Sequence, residues 1–305
     1  MKILVTGGAG FIGSHLVDAL IEKGHSVVVV DNFSTGKEEN LNSKADVERL
    51  DITSPELAEI FTKRQPDAVF HLAAQIDLPK SVQNPVWDAE QNIIGTINVL
   101  ENSRLAGVKK VIFSSSAGVY GDNGVVPTLE NSPLLAPSPY GIGKLAAEKY
   151  LDYYHQTHHL PYIALRYANA YGPRQRGVGE GGVVAVFIDM LSQGKIPTID
   201  GDGEQTRDYI YVADIVAANL AALQSSAVGI FNIGTGAETS VNQLAAAIQT
   251  ANGSNVVFNH GPARAVDQRR SALDNTKAKN ELSWQSSVSL TQGIKQTVEW
   301  FKKIA

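Results

Sequence analysis

Gly7-Gly-Ala-Gly10-Phe-Ile-Gly13 stands between a short apolar segment, Lys2–Thr6, and a helical pattern over residues 11–23. Gly7 permits a tight turn, Gly10 lets the backbone approach a pyrophosphate, and Gly13 allows close packing of helix on strand. The free amides and the positive end of that helix face the phosphates. The segment therefore predicts a dinucleotide site whose contacts are Gly7, Gly10, Phe11, Ile12 and Gly13.

An acidic residue closes the second predicted strand. Asp31 follows Val27-Val-Val-Val30, and an acidic side chain at this place accepts hydrogen bonds from ribose hydroxyls and repels a 2′-phosphate. No arginine follows in Asn32-Phe-Ser34, so the sequence predicts NAD rather than NADP, held by Asp31 and Asn32. Asp51 and Ile52 are predicted to flank the adenine, although an ordinary turn aspartate explains Asp51 equally well.

Short apolar strands alternate with longer helical patterns over the first two-thirds of the chain. This alternation predicts an α/β fold of the Rossmann type, with a doubly wound parallel sheet. After about Tyr167 the elements become shorter and indicate a smaller α/β substrate-binding lobe. We expect an NAD-binding domain over 1–167, to which some later segments return, and a substrate lobe mainly over 168–305. The predicted strands are 2–6, 26–30, 68–71, 111–114 and 162–166, and the predicted helices include 11–23, 55–64, 86–106 and 139–158.

A tyrosine and a lysine four residues apart follow a helix-start signal. Ser138-Pro139 is typical of an N-cap and a first helical position, which places Tyr140 and Lys144 one turn apart on one helix face. Ser114-Ser-Ser116 ends a predicted strand at the carboxyl edge, where such sheets place their chemistry. Together these features predict a serine hydroxyl that hydrogen-bonds the reacting oxygen and relays its proton to Tyr140.

A tyrosine that works as a base requires a lowered pKa. A free phenol titrates near 10, so activity near neutral pH requires a depression of roughly three units, or about 4 kcal/mol. We expect the Lys144 ammonium and the positive nicotinamide ring of NAD⁺ to supply it, and Lys144 to hold the nicotinamide ribose. Gly141 and Gly143 are costly in a helix and are expected to let the cofactor lie close.

A third strand that runs beside the pyrophosphate ends in His71-Leu-Ala-Ala74. The small side chains of Ala73 and Ala74 leave room for the cofactor, and Leu72 belongs to the same predicted contact segment. His71 is interpreted as a satisfied core histidine rather than a catalyst.

The composition excludes several classes of function. The chain has 305 residues, 43% hydrophobic and 19% charged, which is typical of a globular enzyme. A net charge of −5 makes nucleic acid a poor partner. The chain contains no cysteine, which excludes disulfides and thiolate chemistry, and no metal site is predicted. It also lacks the long apolar run of a membrane span, so we expect a cytoplasmic protein.

These features and several later motifs resemble the extended short-chain dehydrogenase/reductase superfamily. Within it, the chain is similar to the NAD-dependent epimerase/dehydratase family, whose members include UDP-glucose (UDP-galactose) 4-epimerases. The resemblance covers essentially the whole chain. Beyond the segments above, its motifs are Phe113-Ser-Ser-Ser-Ala-Gly-Val-Tyr-Gly121, Arg166-Tyr-Ala-Asn169, Tyr171-Gly-Pro-Arg174, Arg207-Asp-Tyr-Ile-Tyr-Val-Ala-Asp214 and Ser271-Ala-Leu-Asp-Asn-Thr-Lys-Ala-Lys279.

The resemblance implies a reaction and the residues that perform it. Tyr140 removes the proton of the sugar 4-hydroxyl during oxidation by NAD; the transient 4-keto sugar turns about its gripped diphosphate and is reduced on the opposite face. Ser116 is implied to partner Tyr140, and a homodimer is implied. The helices at 86–106 and 139–158 are candidates for pairing with a second subunit, but an intramolecular core explains their apolar faces equally well. The implied contacts to a UDP-sugar substrate are Ser116, Tyr140, Asn169, Val183, Thr198, Arg207, Arg264 and Ser271.

Two departures from relatives bear on the reaction and the substrate. Related dehydratases carry an Asp-Glu pair where this chain has Ala117-Gly118 after Ser116, so the resemblance favours epimerisation over dehydration. Ser271 falls where an aromatic narrows the hexose pocket of some relatives, which leads to the hypothesis that N-acetylated UDP-hexoses are accepted too. Asp200 stands where many relatives have an aromatic near the nucleobase.

Alternative functions stay open at this point. One is a 4-epimerase for UDP-glucuronate or another nucleotide sugar. Another, of a different class, is a non-catalytic protein that binds NAD and nucleotide sugars, against which the intact Ser116, Tyr140 and Lys144 argue. A dehydrogenase that forms a thioester is disfavoured because the chain has no cysteine.

Overall fold

The computed structural model describes residues 1–175, 177, 182–263 and 268–304. Its strands are β1 Lys2–Thr6, β2 Ser26–Asp31, β3 Asp46–Arg49, β4 Ala68–His71, β5 Lys110–Ser116, β6 Tyr162–Tyr167, β7 Asn169–Tyr171, β8 Thr198–Asp200, β9 Thr206–Arg207, β10 Tyr209–Tyr211, β11 Gly229–Ile233, β12 Thr239–Ser240 and β13 Asn259–Gly261. Its α-helices are α1 Phe11–Glu22, α2 Leu57–Arg64, α3 Leu78–Gln83, α4 Pro85–Ala89, α5 Gly95–Leu105, α6 Pro139–His158, α7 Val183–Ser192, α8 Val212–Gln224, α9 Val241–Asn252, α10 Thr276–Glu281 and α11 Leu290–Ile304.

Seven parallel strands of the described chain form the central sheet, in the order β11-β6-β5-β4-β1-β2-β3. Alternate residues of β1 enter different core layers. Ile3 and Val5 pack with residues of α1 and α8, whereas Leu4 packs with residues of α2, α5 and α6. Because both faces are covered by helices, the inner strands are largely apolar on both sides, whereas the edge strand β3 is polar and mostly exposed. The predicted Rossmann-type sheet is confirmed.

The later part of the chain contributes both to this sheet and to a smaller layer. Strand β11 joins the edge of the central sheet beside β6. The pairs β7–β10, β8–β13 and β9–β12 form small two-stranded sheets, and α7, α9 and α11 pack around an apolar cluster of their own. Since β7 follows β6 almost directly, this smaller layer begins at the carboxyl edge of the central sheet.

The structure divides one predicted helix. Residues 86–106 are predicted as a single helix, but a π-helical turn, Glu90–Ile94, separates α4 from α5. The side chain of Asn92 in this turn donates to Gln75 O at 3.0 Å and accepts from Gln75 N at 2.9 Å. These bonds to the loop after β4 hold the wider turn, which apolar periodicity does not signal. The helix α6 has the predicted bounds.

A membrane-spanning helix needs a long apolar stretch, and no helix in the described part of the chain has one.

Candidate active site

The glycine turn leaves one face open to a ligand. A Cβ on Gly7, whose φ is +71°, would lie 2.7 Å from Ala73 N, and a Cβ on Gly13 would overlap Gly7 O. A Cβ on Gly10 would meet only Gly7 O, at 3.2 Å, so the space beyond Gly10 is open. Helix α1 begins there without a side-chain cap, which leaves its first amides to bind an anion. This cradle fits the pyrophosphate of a dinucleotide.

The carboxylate of Asp31 shapes the same turn. Its Oδ2 accepts from Ala9 N at 2.9 Å, and its Oδ1 accepts from Phe33 N at 2.8 Å. A carboxylate has about four acceptor positions, so two can still accept from ribose hydroxyls as predicted. The sheet also brings Arg49 of β3 into register with Asp31. A search of the adjacent sequence misses this arginine, which stacks 4.1 Å from the Phe33 ring centroid and forms an ion pair with Glu38.

Asn32, Asp51 and Ile52 have structural roles beside their predicted adenine contacts. Asn32 Nδ2 donates to Asp51 Oδ2 at 2.7 Å, and Thr53 N donates to Asp51 Oδ1 at 2.9 Å. Asp51 thus organises the turn after β3, which agrees with the alternative interpretation of Asp51 as a turn aspartate. The Ile52 side chain is buried against α5, so any adenine contact of Ile52 comes from its backbone.

His71 is a satisfied core histidine, as predicted. Thr96 Oγ1 donates to Asn92 O at 2.7 Å, so it accepts from His71 Nε2 at 3.0 Å; Nδ1 then accepts from Thr6 Oγ1 at 2.7 Å. Burial, with a smaller contribution from Lys144, lowers the pKa of His71 to about 3. The neutral ring therefore joins α5 to the strand that carries the glycine turn.

Strand β5 and helix α6 bring the predicted serine and tyrosine together. Ser116 ends β5 and its Oγ accepts from Gly118 N at 3.0 Å. Ser138 caps α6 by accepting from Gly141 N at 3.2 Å, which fixes the first turn that carries Tyr140. A Cβ on Gly118 would lie 3.3 Å from Ser116 Oγ and 3.7 Å from Tyr140 Cε1. The two hydroxyl-bearing residues therefore flank Gly118 at the carboxyl edge of the sheet.

Lys144 lies one turn further along α6 and is buried. Its Nζ donates to Ser114 O at 2.7 Å and lies 4.8 Å from the Phe113 ring centroid and 5.9 Å from that of Tyr140. Burial lowers its pKa to about 8. The protein interior therefore weakens proton binding by Lys144, but the ammonium form still predominates at neutral pH.

The predicted depression of the Tyr140 pKa is not present in the structure. Burial raises this pKa, a hydrogen bond with Ser116 lowers it, and the charge of Asp88 raises it, with a net increase. The Lys144 ammonium, which donates to Ser114 O, is not among the groups that lower this pKa. The groups of the protein alone do not lower this pKa, which leaves the positive nicotinamide ring as the other predicted source.

The two helical glycines have a packing role that the sequence does not indicate. A Cβ on Gly141 would lie 2.7 Å from Gly118 O, and a Cβ on Gly143 would lie 3.1 Å from Asn92 Cβ. Both glycines therefore allow α6 to pack against other parts of the protein. Their expected role in leaving room for the cofactor stays a prediction.

The predicted substrate contacts lie on several elements of the smaller layer. Arg207 Nη1 donates to Thr206 O and Gln268 O, both at 2.7 Å, which joins β9 to the segment that leads to Ser271. Ser271 is buried, whereas Asn169 and Thr198 are exposed and Val183 begins α7. Arg264 lies outside the described residues.

Sequence reasoning missed two buried carboxylates near the site. Asp208 accepts from Thr235 N at 2.9 Å and Leu273 N at 3.2 Å, which fixes the chain around Arg207 and Ser271. Asp88 lies inside the protein beside α6. The only signal for Asp88 in the sequence is its spacing of four residues from Asn92, which would place both side chains on one helix face.

The sheet, the glycine turn and the Ser–Tyr–Lys arrangement define an enzyme of the extended short-chain dehydrogenase/reductase class. Residues 3–234 match the sequence model of the NAD dependent epimerase/dehydratase family, and the chain belongs to that family. Its cofactor is NAD.

The chain is similar over almost its whole length to several known proteins. A UDP-glucose 4-epimerase of Mycolicibacterium smegmatis is 45% identical over 309 residues, which cover 99% of each chain. A structure of UDP-glucose 4-epimerase with UDP-glucose from Thermotoga maritima has a TM-score of 0.98 at 50% identity, covering 100% of this chain and 99% of that one. A UDP-N-acetylglucosamine 4-epimerase from Methanobrevibacter ruminantium, in complex with UDP-N-acetylmuramic acid, has a TM-score of 0.96 at 36% identity, covering 100% of this chain and 99% of that one.

Proposed function

We propose that this chain catalyses the NAD-dependent 4-epimerisation of a UDP-hexose, interconverting UDP-glucose and UDP-galactose. The placement of Ser116 and Tyr140 around Gly118, with Lys144 one turn away, carries the proposal. Ala117 and Gly118 follow Ser116, so this turn offers no acid for a dehydration. The similar 4-epimerases support the same reaction and do not favour the glucuronate alternative.

The residues of the chain then have separate tasks. Bound NAD supplies the two-electron acceptor and donor for C4 of the hexose. Tyr140 takes the proton of the 4-hydroxyl and returns it, with Ser116 hydrogen-bonded to the reacting oxygen. Lys144 supplies positive charge below the phenol and a donor for the nicotinamide ribose. Asp31, Asn32 and the open face at Gly10 hold the adenosine and the pyrophosphate.

The substrate has to be held at its diphosphate while its sugar turns over. We assign this grip to Arg207 and Asn169, with Arg264 as a further phosphate ligand, because a net-acidic protein requires local cations to bind a pyrophosphate. Val183, Thr198 and Ser271 remain proposed contacts of the nucleotide and the sugar. The division into an NAD-binding domain over 1–167 and a substrate lobe over 168–305 is part of the same proposal.

The substrate range follows from Ser271. A serine in place of an aromatic leaves room for a 2-acetamido group, and a similar protein carries the name of a UDP-N-acetylglucosamine 4-epimerase. We therefore propose that UDP-N-acetylhexoses are substrates too.

Proton NMR of the purified protein with UDP-galactose, and separately with UDP-N-acetylgalactosamine, tests these proposals. New gluco-configured anomeric signals from both sugars are expected. Signals from UDP-galactose alone would retain the epimerase and contradict the wide pocket. No conversion of either sugar in the presence of NAD⁺ would contradict the proposed function.

We further propose a homodimer formed through the outer faces of α4, α5 and α6. Several large apolar side chains are exposed there, including Val86 at 68%, Ile94 at 54%, Ile142 at 54% and Tyr153 at 50%. Apolar side chains grouped on one surface are typical of an interface between subunits. A cytoplasmic location remains a proposal that the cysteine-free composition supports.

A further inference from the structure

A buried carboxylate lies beside the catalytic helix without a part in the chemistry proposed above. Asp88 is 1% exposed and belongs to α4, which packs against α6. A Cβ on Gly143 would lie 3.4 Å from Asp88 Oδ2. The carboxylate therefore lies against the turn of α6 that separates Tyr140 from Lys144.

Two side-chain amides fix the orientation of this carboxylate. Gln75 Nε2 and Asn92 Nδ2 both donate to Asp88 Oδ1, at 2.9 and 3.1 Å. The two amides are themselves joined, because Asn92 bonds the backbone N–H and the carbonyl of Gln75. Burial is the larger effect and raises the pKa of Asp88, while these two donors and the charge of Lys144 favour its charged form. A network with several mutual bonds also holds the group in one place.

The charges around Lys144 are not equally available to it. His71 of β4 is neutral, as shown above. Glu148 of α6 is already paired with Arg166, through Nη2–Oε2 at 2.6 Å and Nε–Oε1 at 2.8 Å. The described hydrogen bonds to the Asp88 carboxylate come from neutral amides instead, so its charge remains to act on the Lys144 ammonium and the Tyr140 phenol.

We propose that Asp88 is a positioning residue that sets the proton affinity of the Tyr140–Lys144 pair. Its negative charge keeps Lys144 protonated in the protein interior and opposes ionisation of Tyr140 until the positive cofactor ring is beside it. The directions of both effects agree, because Asp88 raises the pKa of Lys144 and that of Tyr140. The inference rests on the proposed function, since it assigns these two residues to catalysis.

Loss of the Asp88 charge should shift the pKa of Tyr140 and the pKa of Lys144 in the same direction. Removal of a negative charge lowers the pKa of a neighbouring ammonium and of a neighbouring phenol. The acid limb of the pH–rate profile reports the tyrosine base, and the alkaline limb reports the loss of the lysine proton. Without the charge of Asp88, both limbs should move to lower pH.

Asp88→Asn is the informative variant because its amide keeps an oxygen to accept from Gln75 and Asn92. We expect both limbs of the pH–rate profile for UDP-galactose to move to lower pH by roughly half to one unit. Glu101→Gln is the matched control. Glu101 lies on α5 and pairs with Arg104 and Tyr154. Glu101→Gln also removes one negative charge, but it should leave both limbs of the pH–rate profile in place.

A second readout does not depend on turnover. The ultraviolet tyrosinate absorbance of Tyr140 is identified as the signal that is lost in Tyr140→Phe. In protein that carries Asp88→Asn alone, this absorbance should titrate at lower pH than in the unsubstituted protein. If the unsubstituted protein fails to convert UDP-galactose, the proposed function fails and this titration still judges Asp88. Unchanged limbs and an unchanged titration in Asp88→Asn would overturn the inference. The same holds if Asp88→Asn and Asp88→Leu lower thermal stability equally and neither variant moves the limbs or the titration.

Discussion

Tyr140 and Lys144 are ionisable groups one helical turn apart, and burial acts on both against the charged form. For Tyr140 burial raises the pKa, and for Lys144 burial lowers it to about 8. A desolvated ammonium and a desolvated phenol thus lie where the proposed function places the positively charged cofactor ring. Binding of that ring favours the phenolate and disfavours a fully charged lysine.

Tyr140→Phe tests the assignment of the base. The change removes the proton acceptor and keeps the ring, so we expect activity to fall about 1,000-fold with little change in thermal stability. The measurement is the rate of UDP-galactose conversion together with the unfolding midpoint. Activity within about tenfold of the unsubstituted protein would show that another group takes the proton.

Lys144→Met tests the cost of the buried charge. The pKa of Lys144 is about 8 in the folded protein, against an ordinary value of 10.5 in an unfolded chain. Between these values the unfolded chain binds the extra proton, so stability rises with pH there, and below pH 8 the folded state carries the full penalty. The lowered pKa corresponds to about 3 kcal/mol, and the lost bond to Ser114 O offsets about 1 kcal/mol.

We therefore expect Lys144→Met to raise the free energy of unfolding by about 2 kcal/mol at pH 7. This difference in the free energy of unfolding between Lys144→Met and the unsubstituted protein should shrink by about 1 kcal/mol between pH 8 and pH 9. Urea unfolding at these pH values measures both quantities. A variant that is less stable than the unsubstituted protein throughout would contradict the buried-charge account.

The catalytic helix is positioned by glycine contacts as much as by its cap. Alanine at either helical glycine gains about 1 kcal/mol of helix propensity. At Gly141 this gain is opposed by the Gly118 carbonyl, which a Cβ would approach to 2.7 Å, and backbone cannot move aside cheaply. At Gly143 the opposing atoms belong to the Asn92 and Asp88 side chains, at 3.1 and 3.4 Å.

Gly141→Ala should therefore destabilise the protein by about 1–3 kcal/mol, the usual range for overpacking. It should also lower activity more than tenfold, because the turn that joins Ser116 to Tyr140 must shift; roughly an ångström of misplacement has effects of this order. Gly143→Ala serves as the matched control, and we expect it to lose less stability and less activity than Gly141→Ala. Equal stability and activity in the two variants would show that α6 is not held by the Gly118 contact.

Among the helices and strands, features set by local sequence could be predicted, and features set by contacts between distant residues could not. Strand β4 and helix α6 have their predicted bounds, because apolar runs and the Ser138-Pro139 start signal are local. The π turn at Glu90–Ile94 was missed because bonds to Gln75, distant in sequence, hold it. Arg49 was missed for the same reason, since only strand pairing brings it beside Asp31. The serine, tyrosine and lysine were found because their residue types follow local strand and helix ends.

At the scale of the whole molecule, several large apolar side chains of α4, α5 and α6 are exposed, and the proposed dimer would cover them. The neighbouring residues Tyr140 and Lys144 of α6 face inward, so a partner that covers Ile142 would also support the helix of the active site. Burial of apolar area stabilises by about 25 cal/mol per Å², and a charge placed within such an interface is costly unless it is paired. The proposed dimer should therefore be sensitive to a single acidic substitution.

Ile142→Glu is expected to convert the protein from dimer to monomer, as measured by light scattering coupled to size-exclusion chromatography. Val257→Glu is the matched control, because Val257 is also aliphatic and is 81% exposed, but it lies away from these helices, just before β13. This control should keep the mass of a dimer. If the unsubstituted protein already has the mass of a monomer at micromolar concentration, the apolar surface on α4, α5 and α6 does not join two copies of this chain. If Ile142→Glu is folded and keeps the mass of a dimer, the two copies meet through a different surface.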